Sequence, residues 1–188
     1  NLLYDRQRKQ YQIARQNVQI INRKCHELKV QIADLRRLQP DEATTRSLDE
    51  AEQAARMYDA NAATGNEVLD VVLTEKSLLC EAQRIRLNCV ADGTCLAAIE
   101  PGDLYALFSN LLDQAIDAAA QQQNDRRMID LLVCRRQGFA VINVIGPALS
   151  GSQSDHGRRH RSELKVARRV VQKYNGTMAT EPRGELLA

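Results

Sequence analysis

A chain of 188 residues, 44% hydrophobic and 27% charged, has the composition of a folded protein of one large or two small domains. Its formal net charge of +2 is too small to make the chain as a whole a nucleic-acid binder, and no apolar run approaches the length of a membrane span. Trp is absent and aromatics are 4%, so the core must be built from Leu, Ile, Val and Ala, a set that leans helical. The five cysteines, at 25, 80, 89, 95 and 134, contain no Cys-x-x-Cys pair and read as reduced thiols in a cytosolic setting. No signal peptide is visible, and the opening "NLLYDRQRKQYQ" starts inside a helical pattern without a start signal, which leads us to expect a longer protein.

Residues 2–38 contain neither Gly nor Pro. Tyr4, Tyr11, Val18, Cys25 and Ile32 recur every seven residues, with Ala14, Ile21, Leu28 and Leu35 at the d offset. Such a seam predicts one long helix that pairs with others. Pro40 ends it, because the residue before proline avoids the α region. Asp41 caps a second helix to about Ala62, with Leu48, Ala51, Ala55, Tyr58 and Ala62 on one face. Two antiparallel helices cannot bury this seam alone, so a homodimeric four-helix bundle is expected.

From Thr64 the pattern changes. "TGNEVLDVVLTEKSLLCEAQ" predicts a capped helix with Val68, Leu69, Val72, Leu73 and Leu79 on its buried side. "RIRLNCV" alternates as a short strand, and "PGDLYALFSNLLDQAIDAAA" is a helix with Pro101 in its first turn and Asp103 near the cap. "MIDLLVCRR" and "FAVINVIG" are strands joined by the turn Gln137-Gly138. Residues 145–160 read as a structureless loop, a helix follows from about Arg161 to Lys173, and "GTMAT" and "GELLA" read as terminal strands. The fold class is α+β: a helical hairpin over 1–63, then an α/β sandwich over 64–188 with helices on one face of a mixed sheet.

Two places carry candidate chemistry. In "CHELKVQI", Cys25 takes an a position, so His26 at b faces solvent as a usable nucleophile. Glu27 beside it could orient the ring or take its proton. In "NLLDQAIDAA", Asn110, Asp113, Gln114 and Asp117 fall on one helical stripe of hard oxygen ligands that suit Mg²⁺, which usually arrives with phosphates. Taken singly, each is better described as a solvated helix face.

Taken together and in order, these segments resemble the cytoplasmic core of sensor histidine kinases. "HELK" looks like the family's phospho-acceptor box, and "DLYALFSNLLDQAIDAA" like its N-box. "TGNEVLDVVLTEK" followed by "RIRLNCVADG" looks like the lead-in of the Agr-type quorum-sensor subgroup, and "LKVARRVVQKYNG" like the helix and glycine turn after the nucleotide lid. The resemblance implies a dimeric four-helix bundle followed by a Bergerat-type ATP-binding fold of the GHKL superfamily. It makes His26 the phospho-acceptor and Glu27 its general base. Asn110 and Gln114 would contact phosphate or Mg²⁺, Asn143 would stand near the adenine, and His160 and Arg161 would fall in the lid motif. Lys173 and Tyr174 match the helix end, where a structural role is expected. It further implies ATP with Mg²⁺, a homodimer, the receiver domain of a response regulator as partner, and an upstream membrane sensor segment outside this chain. The chain would then be the cytoplasmic part of a membrane-anchored protein.

The departures bear on activity. Gln114 stands where the N-box has the magnesium-holding Asn, with the same amide one methylene further out. The subgroup's Thr-Thr-Lys element is absent between Asn143 and His160. Its His-Gly-x-Gly-Leu motif is here His160-Arg161-Ser162-Glu163-Leu164, without either glycine that would let backbone amides approach the phosphates. Glu163 would repel phosphate, and Arg161 would offset part of that repulsion. The alternative is a catalytically impaired relative of the same fold acting as a scaffold. A nucleic-acid contact through the basic residues of 158–173 is a third reading, and it lacks stacking aromatics and any groove-reading motif, so no nucleic acid is expected.

Overall fold

The seven-residue repeat does build one long helix. In the structure, a computed structural model, helix α1 spans Leu2–Arg37 and α2 spans Glu42–Ala60. Residues 2–60, 64–147 and 155–181 are described, and the side chains at 2–4, 56–60, 124 and 155–163 lie outside that description. Between the helices, Gln39 turns to a φ of 53° ahead of Pro40, and the Asp41 carboxylate accepts from the Thr44 backbone N–H at 3.0 Å, restarting the helix. Arg36 ties the hairpin together by donating to Asp49 at 2.5 Å and Glu52 at 2.8 Å.

The seam is divided between two partners. Cys25 and Ile32 are buried in the hairpin with Leu48 and Ala55 of α2. Tyr11, Ala14 and Val18 instead enter the main core. The later d positions, Leu28 and Leu35, remain 40% and 48% exposed. The unbroken seam expected from the heptads is therefore partly covered by the chain itself. The Tyr58 side chain and all of Ala62 fall outside the description.

Helix α3, Glu67–Ala82, starts where Asn66 accepts from the Val68 and Leu69 N–H groups at 3.1 and 3.2 Å. Its buried line runs Leu69, Val72, Leu73, Lys76, Cys80. Leu79, expected on this line, is 38% exposed. Strand β1, Arg86–Ala91, follows, and then Gly93 packs back on the start of α3. A Cβ there would stand 2.6 Å from both Thr64 Oγ1 and Asn66 Cβ, so only glycine lets the two loops meet.

Helix α4, Pro101–Ala120, has Pro at its first turn, and Glu100 rather than Asp103 is its N-cap. Strands β2, Met128–Arg136, and β3, Phe139–Ile145, are joined by Gln137 and Gly138, both at positive φ, which matches the twist of a tight hairpin. The three strands lie in the order β1-β2-β3, with β1 and β2 parallel across the α4 crossover and β2 and β3 antiparallel. Alternation sends Ile129, Leu131 and Val133 of β2 into the core against Leu69, Leu104, Phe108, Leu112 and Ile116. A second cluster, Leu107, Ala167 and Val170, joins α4 to helix α5, Asp155–Lys173.

The last third corrects two expectations. The helix begins at Asp155, so residues 155–160 are helical and not loop. Nothing in 155–161 forbids a helix: there is no Pro, and the lone Gly157 costs only about 1 kcal/mol. "GTMAT" forms no strand among the described residues. Gly176 N–H donates to Val171 O at 2.9 Å, and Met178 packs on the second cluster, which uses the segment otherwise. "GELLA" lies outside the described residues. The α+β class stands, with helices on one face of a mixed sheet.

Candidate functional site

His26 is exposed on α1, one residue past the buried Cys25, as its b position requires. Glu27 does not turn to it. Adjacent helical residues point about 100° apart. The Glu27 carboxylate instead accepts from Lys24 Nζ at 2.7 Å, and that bond holds its carboxyl below the usual range. Glu27 is thus paired with Lys24, while His26 presents its ring to solvent.

The α4 stripe is split by what packs on either side of the helix. Its residues span about 100° of azimuth, enough for one edge to face α3 and the other α5. Asp113 turns to α3, where Lys76 Nζ lies 2.8 Å from its Oδ1, and Ser109 Oγ donates to its Oδ2 at 3.4 Å. Gln114, on the other edge, is buried at 8% exposure. Asn110 is half-buried and its amide N donates to the Ala106 carbonyl at 2.6 Å, which leaves its carbonyl oxygen available as an acceptor. Asp117 is exposed. Among the described residues, no three His, Cys, Asp or Glu side chains converge as a metal site.

Asn143 does not join these groups. It pairs with Leu132, while the neighbouring Leu131 and Val133 face the core, so Asn143 looks out from the opposite face of the sheet. It is exposed there, with α4 on the far side. Its position between Ile142 and Val144, two partly buried core neighbours, already carried that signal.

His160 and Arg161 lie on the α5 backbone, and their side chains fall outside the described residues. Because α5 starts at Asp155, the amides at 160–163 are inside the helix and not at its N-terminus. The expected cradle of free amides at that motif is therefore absent from the backbone. Helix α5 runs antiparallel to α4, with Ala167 beside Leu107 and Lys173 at Asp103. Stepping back from Ala167 at 1.5 Å per residue brings the 160–161 turn roughly 10 Å along α4, level with Gln114.

The end of α5 is fixed by a cluster whose centre sequence reasoning had taken for a cap. Asp103 is 5% exposed and accepts from Lys173 Nζ at 2.5 Å and from the Tyr174 hydroxyl at 2.8 Å. The same hydroxyl accepts from the Glu100 N–H at 3.0 Å. The bond to Asp103 raises the Lys173 pKa, and burial raises that of Tyr174. Lys173 and Tyr174 thus tie the end of α5 to the start of α4. Lys76 was missed altogether, because a lysine inside an apolar helical stripe reads as a break in the pattern until its partner on α4 is known.

Searches of curated proteins and of solved structures find no match to this chain. A family model does match, and it covers α4, the sheet hairpin and α5 together: residues 99–187 carry a GHKL domain.

Proposed function

We propose that this chain is the kinase core of a two-component sensor histidine kinase. The observation that carries the reading is a solvent-facing His26 on a long helix with an apolar seam, in one chain with a GHKL domain. GHKL domains generally bind ATP with Mg²⁺, and ATP is the phosphoryl donor of the proposed reaction. The fit of Mg²⁺ rests on the carbonyl oxygen of Asn110, which the bond made by its amide nitrogen leaves available. One protein oxygen is enough for an ion that keeps several waters and takes phosphate oxygens. Gln114 is too buried to add a second. Bound Mg²⁺ would neutralise charge on the phosphates.

In the reaction the His26 ring nitrogen bonds to the γ-phosphorus, the bond to the bridging oxygen breaks, ADP leaves and the ring proton passes to solvent. The exposure of His26 lets it enter a donor site and afterwards meet the aspartate of a receiver domain. The exposed Leu28 and Leu35 support a homodimer built on the lower half of α1, with Ile21 half-buried above them. No helix among the described residues is long and apolar enough to cross a membrane.

A second reading, a non-catalytic scaffold of the same fold, is favoured by two observations at the candidate nucleotide site: the burial of Gln114 and the helical 160–163 backbone. His26→Gln separates the two. On the kinase reading it abolishes ³²P incorporation from ATP and leaves the dimer intact. Persistent labelling of that variant would show that another group is phosphorylated, and a wild type that never labels favours the scaffold.

A further inference from the structure

Lys76 is 4% exposed in the apolar line of α3, between Leu69 and Cys80. A buried ammonium in such a line costs stability unless it is closely paired, and Met or Leu would fill the space without that cost. Two acids hold it: Asp113 of α4 at 2.8 Å and its neighbour Glu75 at 3.4 Å. Asp113 lies one turn beyond Asn110 and next to Gln114 on the helix assigned to nucleotide. At the other end, Glu75 accepts from the Tyr105 hydroxyl at 3.1 Å. The Tyr105 ring in turn lies against Tyr11 of α1, with centroids 5.8 Å apart and planes tilted by 50°. A continuous set of contacts therefore runs from Tyr11 of α1 to Tyr105 near the start of α4, across to Glu75 and Lys76 of α3, and back to Asp113 on the candidate site face of α4.

We propose that Lys76 is a positioning residue of the nucleotide site and that Glu75 and Tyr105 connect it to α1, so that the docking of α1 sets nucleotide affinity. The proposal rests on reading α4 as the nucleotide helix. The connection works by competition. Glu75 is shared between Tyr105 and Lys76, and Lys76 is shared between Glu75 and Asp113. Tyr105 belongs to α4, and Tyr11 of α1 packs on its ring. When α1 moves and Tyr11 leaves, the Tyr105 side chain turns away from Glu75, which then turns wholly to Lys76 and draws it from Asp113. Asp113 then loses its fixed partner, and the α4 turn carrying Asn110 shifts with it.

The test uses the full chain. ATP affinity is measured by calorimetry in wild type, Lys76→Met, Tyr105→Phe and the double variant, with thermal melts confirming that each is folded. Each single change weakens ATP binding about fivefold or more, and the double is no weaker than Lys76→Met alone, because both changes cut one connection. Factors that multiply, or singles that bind as wild type does, would overturn the proposal. A second arm needs no nucleotide. In amide hydrogen exchange, Tyr105→Phe speeds exchange at 110–117, and Lys76→Met speeds it at 11–18. Exchange confined to the immediate neighbourhood of each substitution contradicts the connection. A wild type that binds no ATP would remove the nucleotide half of the proposal together with the nucleotide reading, and the exchange arm would still decide whether α1 and α4 are coupled.

Discussion

Replacing Tyr174 with Phe tests how α5 is fixed against α4. The change removes one hydroxyl and leaves the ring in the second cluster. That hydroxyl donates to a carboxylate only 5% exposed, at 2.8 Å, and accepts from the Glu100 N–H at 3.0 Å. A hydrogen bond to a charged group contributes about 1.5–3 kcal/mol. Lys173 still holds Asp103 at 2.5 Å in the variant, which places the loss toward the lower part of that range. We take about 2 kcal/mol, and for a chain of this size each kcal/mol moves Tm by about 2–4 °C, so the melt should fall by about 4–8 °C. Thermal unfolding followed by far-ultraviolet circular dichroism measures it. A fall of less than about 1 °C would refute the view that this hydroxyl joins the two helices.

Two further predictions concern assembly and alkaline stability. The proposed homodimer should give a dimer mass in sedimentation equilibrium that falls to monomer when Leu28→Glu and Leu35→Glu are combined, because those d positions are the exposed part of the seam, and a dimer mass that survives the change would contradict that interface. Burial pushes the Cys80 thiol up to about 11 from an ordinary 9.0. The unfolded chain loses that proton first, so the thiol's contribution is intact below pH 9 and is lost as the pH rises through 11. The loss amounts to up to about 2.5 kcal/mol. Urea midpoints measured in reducing buffer should fall less steeply above pH 9 in Cys80→Ala than in wild type, and parallel slopes would count against a buried, protonated thiol.

Local chemistry made most elements legible in the sequence. The heptads gave α1, Pro40 and Asp41 gave the hairpin turn, and Gln137-Gly138 gave the tight turn between β2 and β3. What escaped was set by partners distant in sequence. Asp103 reads as a capping acid until Lys173 and Tyr174 arrive beside it. Lys76 reads as a surface lysine until Asp113 covers it. The upper half of the α1 seam carries the same pattern as the lower half, yet Tyr11, Ala14 and Val18 are claimed by α3 and α4. The candidate site suffered in the same way. Periodicity put Asn110, Asp113, Gln114 and Asp117 on one stripe, and only packing reveals that α3 takes one edge and burial the other. Asn143 could have been excluded earlier, because strand alternation alone turns it from the face that Ile142 and Val144 share.

The most direct test of the account is calorimetric titration of ATP, with Mg²⁺, into the wild-type chain. The kinase reading predicts a saturable heat. No heat at millimolar nucleotide would contradict the kinase reading.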